Sequence, residues 1–285
     1  MPDLPEMFDL HGRVAVVTGG AGLLGAQFCR TLAQAGAQVV VADLNAAAAS
    51  ALADDISHSG GTARAAPIDV TNPRSVRGAV ATALQSFGRL DVLVNSAALD
   101  PKFDPQHQNR IGDQEIKDGG SPLTFSFENY PLELWNQALE VNLTGAFLCC
   151  QAAAQPMLDQ GGGVMVNLSS IYGLAGPDQR MYQRPGQPPQ YKPVYYSVTK
   201  AGILGLTRYL AAYYAGKNIR VNALSPGGVY NGHDEAFVQA YSARAVLGRM
   251  AEKDELNGAL LFLVSEASAY MTGSNLVIDG GWTVW

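Results

Sequence analysis

The sequence predicts an α/β fold, a doubly wound sheet of seven parallel strands with helices on both faces. Three observations predict it. Short runs rich in Val, Ile and Leu alternate with longer Ala-rich segments of helical period along most of the 285 residues. The short runs are apolar at nearly every position, as strands covered on both faces are. A glycine-rich turn directly follows the first run.

In chain order, the first strand is read in "RVAVVTG", and "TGGAGLLG" at 18–25 leads into the helix "GLLGAQFCRTLAQAG". "AQVVVADL" and "ARAAPIDV" are the next two strands, and "PRSVRGAVATALQSFG" carries the chain helically to the fourth, "LDVLVNSA". The long segment "PLELWNQALEVNLTGAFLCCQAAAQPML" is a helix leading to the strand "GGVMVNLSS". A second long helix, "YYSVTKAGILGLTRYLAAYYAG", precedes the strands "NIRVNALSP" and "NLVIDGG". Gly36, Gly88 and Gly216 stand where helices should stop. Such alternation implies right-handed crossovers. Without long linkers or internal repeats, residues 1–285 read as one domain.

Two polar stretches interrupt the rhythm, 99–129 and 174–193, both rich in Pro, Gly and Gln. They are too long for idle connections, and both follow strand C-termini, where open parallel sheets bind ligands. They are therefore expected to wall a substrate site.

Composition narrows the function. An apolar share of 47% with 15% charged residues suits a globular enzyme, and a net charge of −6 argues against nucleic-acid binding. The N-terminus has acids and prolines where a secretory leader needs a basic patch and an apolar run, and no stretch is apolar and long enough to span a bilayer. Cys29, Cys149 and Cys150 offer neither a disulfide framework nor a metal-ligand set. A reducing cytoplasm is the expected location, no metal is expected, and the Cys149-Cys150 pair should pack inside a helix.

Gly19, Gly22 and Gly25 would let backbone N–H groups and a helix start approach a pyrophosphate. Asp43 ends the second strand eighteen positions after Gly25, where a carboxylate would accept hydrogen bonds from an adenosine ribose and repel a 2′-phosphate. With no Lys or Arg in the turn or directly after Asp43, NAD(H) is expected over NADP(H). Leu23, Leu24 and Leu44 complete this contact set, the first two also packing the helix start onto the sheet. In "YYSVTK", Tyr196 and Lys200 share one helix face, so the ammonium should lower the phenol's pKa toward a range useful for proton transfer. Ser170, closing the strand "VMVNLSS", could hydrogen-bond the same reacting oxygen.

These residues, with "DV" at 69–70, "NSAA" at 95–98, Asn142 and Pro226-Gly227, resemble the short-chain dehydrogenase/reductase family, compact single-domain branch, from about Leu10 to Trp285. The resemblance implies a Rossmann domain and a hydride-transfer reaction. Tyr196 would be the general acid/base, and Lys200 would lower its pKa and bond the nicotinamide ribose. Ser170 would polarise the substrate oxygen, and Asn142 would hold a water in the proton relay. Asp69 and Val70 would contact adenine; Asn95 and Ala97 would floor the cofactor site; Pro226, Gly227 and Val229 would approach the nicotinamide. Ser169, beside Ser170, should satisfy backbone groups. Three departures stand out. The glycines are spaced as in the longer, sugar-nucleotide-modifying branch, "NSAA" replaces the more usual "NNAG", and Asn231 stands where a threonine often follows Pro-Gly.

The phrases "AGPDQRMY", "KPVYYSVTKAGILGLTRYLA", "LSPGGVYNG" and "VIDGGWTVW" resemble a subgroup associated with bacterial surface-glycan and nonulosonic-acid modification, including flagellin glycans. A polar, sugar-like or carbohydrate-acid substrate is implied. Asp178, Gln179, Arg180, Tyr182 and Gln183 bring hydrogen-bonding groups toward the pocket mouth, and Arg180, Tyr182, Tyr195 and Asn231 are its candidate contacts. Tyr195 either packs or lines the pocket, and His233 is read as a solvated loop residue. A generic alcohol dehydrogenase or ketoreductase, and a non-catalytic NAD(H)-binding sensor or scaffold, remain the other readings. The two long helices resemble those that pair subunits in the family. Tyr209, Tyr213 and Tyr214 would then lie in the interface of a homotetramer or homodimer, and the C-terminal "WTVW" is expected to reach a neighbouring subunit.

Overall fold

The computed structural model describes residues 3, 5–100, 110–111, 114–115 and 124–285. Its centre is a seven-stranded parallel sheet. In chain order the strands are β1 (Val14–Thr18), β2 (Gln38–Asp43), β3 (Thr62–Pro67), β4 (Val92–Asn95), β7 (Gly163–Leu168), β8 (Ile219–Pro226) and β9 (Asn275–Ile278). Between them, two-residue strands β5 (Arg110–Ile111) and β6 (Gln114–Glu115) pair antiparallel with each other. The large sheet has the order β3-β2-β1-β4-β7-β8-β9, so the expected seven strands form. After β3 the chain returns past β1 to lay β4 on its other side. That reversal opens a crevice at the C-terminal ends of β1 and β4.

Strand β1 shows why continuous apolar runs were needed. All five of its residues are buried; Ala15 and Val17 join the core on one face of the sheet, Val14 and Val16 the core on the other. Helices α1 (Leu23–Gln34), α2 (Ala46–His58) and α8 (Asn257–Val264) pack on the first face through Phe28, Leu32, Leu52 and Leu260. Helices α3 (Pro73–Phe87), α5 (Gly145–Asp159) and α6 (Val194–Tyr213) pack on the second through Val76, Val80, Cys149, Met157 and Leu210. Local chemistry sets their ends. Asn72 caps α3 by accepting from Arg74 and Ser75, Pro73 starts it, and Gly88 closes it at φ 80°. Gly36 and Gly216 also adopt positive φ beyond their helices.

The segment read as one long helix from residue 131 is built in three parts. α4 (Leu132–Leu139) runs through a π turn at Glu140–Thr144 into α5. Asn142 lies within that turn, and π turns inside α-helices often mark functional positions. A third apolar cluster caps the C-terminal edge of the sheet. It joins Tyr172, Met181 and Tyr182 to Phe237 and Tyr241 of α7 (Glu235–Ser242) and to Trp282. Trp282 is 2% exposed and stacks on Tyr241, so "WTVW" builds the chain's own core at this tryptophan. Tyr214 is likewise buried, whereas Tyr209 and Tyr213 stay exposed on α6, so two of the three tyrosines expected at an interface stand on the surface. No helix among the described residues is long and apolar enough to cross a membrane.

Candidate active site

The parallel register delivers the site residues to one edge. Thr18, Asn95 and Asn167 lie side by side near the ends of β1, β4 and β7. The segments leaving those ends, the glycine turn, Ala97, Ser170 and Pro226, therefore border one cleft of about 1200 Å³. That volume accommodates a molecule larger than an ordinary drug-sized ligand.

At one end lies the turn. Gly19 takes φ 64°, and a side chain there would meet the backbone of Ala97 at 2.8 Å. Gly22 begins α1 without a side-chain cap, so the first N–H groups of the helix carry no side-chain acceptor. Gly25 fills the closest approach: a Cβ would fall 2.0 Å from the Gly19 carbonyl oxygen. Leu23, Leu24, Asp43, Leu44, Asp69 and Val70 line the same end. The Asp43 carboxylate accepts from Ala21 N–H and Asn45 N–H, each at 2.9 Å, which ties the turn to the end of β2. Asp69 accepts from the Thr71 backbone and hydroxyl.

At the other end are Ser170, Tyr196 and Lys200. Ser170 receives the Tyr172 N–H at 3.2 Å, and its hydroxyl lies near enough to the Tyr196 phenol to hold that phenol's pKa down. Lys200 is 6% exposed, donates to Leu168 O at 2.9 Å, and holds its Nζ 5.7 Å from the centre of the Tyr196 ring. Ser169 donates to Lys200 O at 2.7 Å, the expected backbone role. Pro226, Gly227, Val229 and Asn231 complete this rim.

The electrostatics depart from the expectation for Tyr196. Burial holds its phenol above the ordinary tyrosine range; Asp100 pushes the same way, and the Ser170 hydrogen bond opposes. Burial also lowers the Lys200 ammonium to about 8, against the pull of Asp100. Burial of the phenol itself is the largest influence on it and outweighs the lowering anticipated from Lys200, whose ammonium at about 8 still carries charge at neutral pH.

Other residues sit elsewhere than expected. Asn95 points into the core, where its amide donates to Asn167 at 2.8 Å, and it does not line the cleft; Ala97 does. Asn142 donates to Leu99 O and accepts from Leu99 N, at 3.1 and 2.6 Å, and reaches Thr199; its side chain is committed to positioning Leu99 and Asp100. Tyr195 is fully buried, edge-on to Tyr130, and packs outside the cleft. Arg180 is 88% exposed and forks onto Asp178, away from the cleft, because Asp178 sits two residues away and also holds Arg244. Tyr182 does line the cleft, its hydroxyl donating to Tyr172 at 3.0 Å.

Three residues of this end were missed in the sequence. His233 lines the cleft, stacks on Phe237 and has its pKa lowered by burial, so it is not a solvated loop residue. Asp100 and Lys192, one from each polar stretch, form an ion pair in the cleft wall. Both stretches thus supply wall residues, although 101–109, 112–113 and 116–123 lie outside the described residues. Cys149 and Cys150 are buried in α5, and burial pushes both thiols up to about 12, which leaves them inert packing groups. No cluster of three or more metal-ligating side chains occurs among the described residues.

Comparison with known proteins agrees with this geometry. The family profile described as "Enoyl-(Acyl carrier protein) reductase" matches residues 20–283. The D-threitol dehydrogenase of Mycolicibacterium smegmatis is 35% identical over 282 residues, covering 97% of this chain and 95% of that one. A 3-alpha-(or 20-beta)-hydroxysteroid dehydrogenase of Mycobacterium tuberculosis is 35% identical over 272 residues, covering 95% and 90%. Among solved structures, a gluconate 5-dehydrogenase from Burkholderia cenocepacia in complex with NADP and tartrate superposes with a TM-score of 0.83 at 29% identity, covering 99% of both chains.

Proposed function

The chain belongs to the short-chain dehydrogenase/reductase family, and from that premise we propose that it is an NAD-dependent dehydrogenase interconverting a secondary alcohol and a ketone on a small, hydroxyl-rich substrate. The observation that carries this reading is the meeting of Ser170, Tyr196 and Lys200 at one end of a cleft whose other end is a glycine turn under an uncapped helix start.

The cleft fits a dinucleotide by its own chemistry. Gly19, Gly22 and the start of α1 would hold the pyrophosphate, Asp43 the adenosine ribose, and Asp69 and Val70 would border the adenine. The nicotinamide, when bound, supplies the hydride acceptor or donor. Among the described residues, the Lys or Arg side chains lining the cleft are Lys192 and Lys200, both at the chemical end and neither beside Asp43. This supports NAD, although the related gluconate 5-dehydrogenase structure carries NADP.

Asp43→Asn tests the point better than alanine, because an amide oxygen can still accept from a backbone donor while the charge is removed. The ratio of kcat/KM for NAD over NADP should fall at least about tenfold, roughly 1.4 kcal/mol of lost discrimination. An unchanged ratio would remove Asp43 from cofactor selection.

The residues then divide the work. A phenol held protonated by its surroundings suits Tyr196 as the proton donor to a carbonyl oxygen during reduction. Ser170 shares that oxygen, fixing its position and stabilising the charge that develops on it. Lys200, anchored by Leu168 O, resupplies the proton side of the site. Asp100, Lys192, Asn231 and His233 add polar groups to the substrate end, next to Tyr182, Phe237 and Tyr241. Such a mixed wall suits a polyol or carbohydrate acid better than a steroid, which needs apolar walls throughout.

The exposed, stacked Tyr209 and Tyr213 on α6 support self-association as a homodimer or homotetramer. A reducing cytoplasm suits its buried, unpaired thiols. The test of function is a panel of sugar alcohols, aldonic acids, simple secondary alcohols and a hydroxysteroid, each with NAD and NADP. Turnover concentrated on polyols or carbohydrate acids with NAD is expected. Preference for simple ketones or the steroid would overturn the substrate reading.

A further inference from the structure

We propose that the Lys192–Asp100 ion pair is a positioning device for Tyr196, with the ammonium on the face of its ring and the carboxylate beside it governing how readily the phenol exchanges its proton. The inference rests on the reading of Tyr196 as the proton donor and goes beyond it by assigning two residues from the polar stretches.

The geometry is specific. Lys192 is 8% exposed and its Nζ lies 4.0 Å from the centre of the Tyr196 ring, nearer than the 5.7 Å of Lys200. Its ammonium is held by Asp100, 92 residues away in sequence. Each partner is clamped through the backbone by an amide side chain. Gln179 donates to Lys192 O at 3.1 Å and accepts from Lys192 N at 2.9 Å. Asn142 makes the same two-way clamp on Leu99, the residue before Asp100. Within the pair the ammonium is buried while the carboxylate is half-exposed, and a desolvated ammonium over an aromatic face is coupled to that ring's charge.

The pair acts on Tyr196 with opposite signs. A cation over the ring stabilises the phenolate, and a nearby carboxylate destabilises it. Among the described residues, the other groups around Tyr196 are Lys200 on its own helix, the hydroxyls of Ser170 and Tyr172 after β7, Tyr182 of the second polar stretch, the neighbouring Tyr195, and His233 after β8. Among these only Lys200 and His233 can carry positive charge, and burial lowers the pKa of both. Lys192 is thereby the cation best placed to stabilise the phenolate, and Asp100 is the anion that limits it.

The experiment measures the ionisation of Tyr196 directly, by NMR titration of protein carrying tyrosine labelled at Cζ, with Tyr196→Phe identifying the resonance. The same variants are followed by the pH profile of kcat/KM for whichever panel alcohol turns over. Asp100→Asn should move the phenol ionisation and the acid limb of the oxidation profile down by about one pH unit, and Lys192→Met should move both up by a similar amount. Lys192→Arg, which keeps the charge, should stay near wild type and controls for folding. Shifts of the same sign in Asp100→Asn and Lys192→Met, or none in either, would make the pair merely structural and overturn the proposal. The titration needs no substrate. Opposite shifts in the spectrum with no turnover on any panel alcohol would sink the dehydrogenase reading and leave the electrostatic assignment standing.

Discussion

Tyr196→Phe is expected to lower kcat by at least about a thousandfold while changing NADH affinity no more than about twofold. The magnitude is that of removing a general acid from its reacting oxygen. The selectivity follows from the packing. Phenylalanine keeps the ring that lies edge-on to Tyr172 at 6.4 Å and beneath the Lys192 ammonium, so the cleft should retain its shape. Only the hydroxyl that meets Ser170 is lost. Stopped-flow turnover and NADH fluorescence titration on the same preparation would check both halves. Residual turnover above about a tenth of wild type would transfer the acid role elsewhere, and an equal loss of NADH binding would make Tyr196 a structural residue.

Gly25→Ala should be the most damaging single-methyl change at the cofactor end. The added Cβ would meet three backbone atoms of the turn, at 2.0 Å from Gly19 O, 2.8 Å from Gly19 C and 2.9 Å from Gly20 Cα. Backbone cannot rotate aside as a side chain does, so α1 must shift away from the turn. A loss of about 3 kcal/mol in stability is expected, at the upper end for overpacking, with NADH affinity falling at least about a hundredfold. Gly22→Ala is the internal comparison. Its Cβ would stand 3.1 Å from Gly19 O at an ordinary φ of −73°, so it should be milder in stability. Denaturant titration and NADH binding on the two variants would separate the roles; equal, small effects would show that the turn tolerates side chains and that its glycines do not hold helix against turn.

The sheet and its crevice were legible because burial on both faces leaves its mark along a strand, at every position of β1 and at the four central positions of β2. The pairing of Tyr196 with Lys200 was legible because four residues make one helical turn. What escaped depended on contacts between distant segments. Nothing local in "LD" at 99–100 or "YK" at 191–192 signals that Asp100 and Lys192 meet across 92 residues. Asn95 looked like a cofactor contact by family pattern, yet its side chain points toward Cys150 and Asn167 in the core. Arg180 looked like an anion ligand, but a carboxylate two residues away captured it first. The π turn that aims Asn142 at Leu99 has no periodic signature, since a single extra residue barely disturbs the apolar pattern on either side. The sign of the Tyr196 shift was misjudged because sequence spacing shows a neighbouring charge but not the burial of the phenol, which disfavours its ionised form.

The central claim is that this cleft moves a hydride between a carbinol carbon and NAD, with Tyr196 exchanging the proton. It is tested most directly by incubating the enzyme and NAD with a panel alcohol deuterated at the carbinol carbon and weighing the reduced nucleotide by mass spectrometry. The account predicts one deuterium transferred to the nucleotide by the wild type and essentially none by Tyr196→Phe over the same time. Reduced nucleotide carrying no deuterium, or equal labelling by the two proteins, would contradict it.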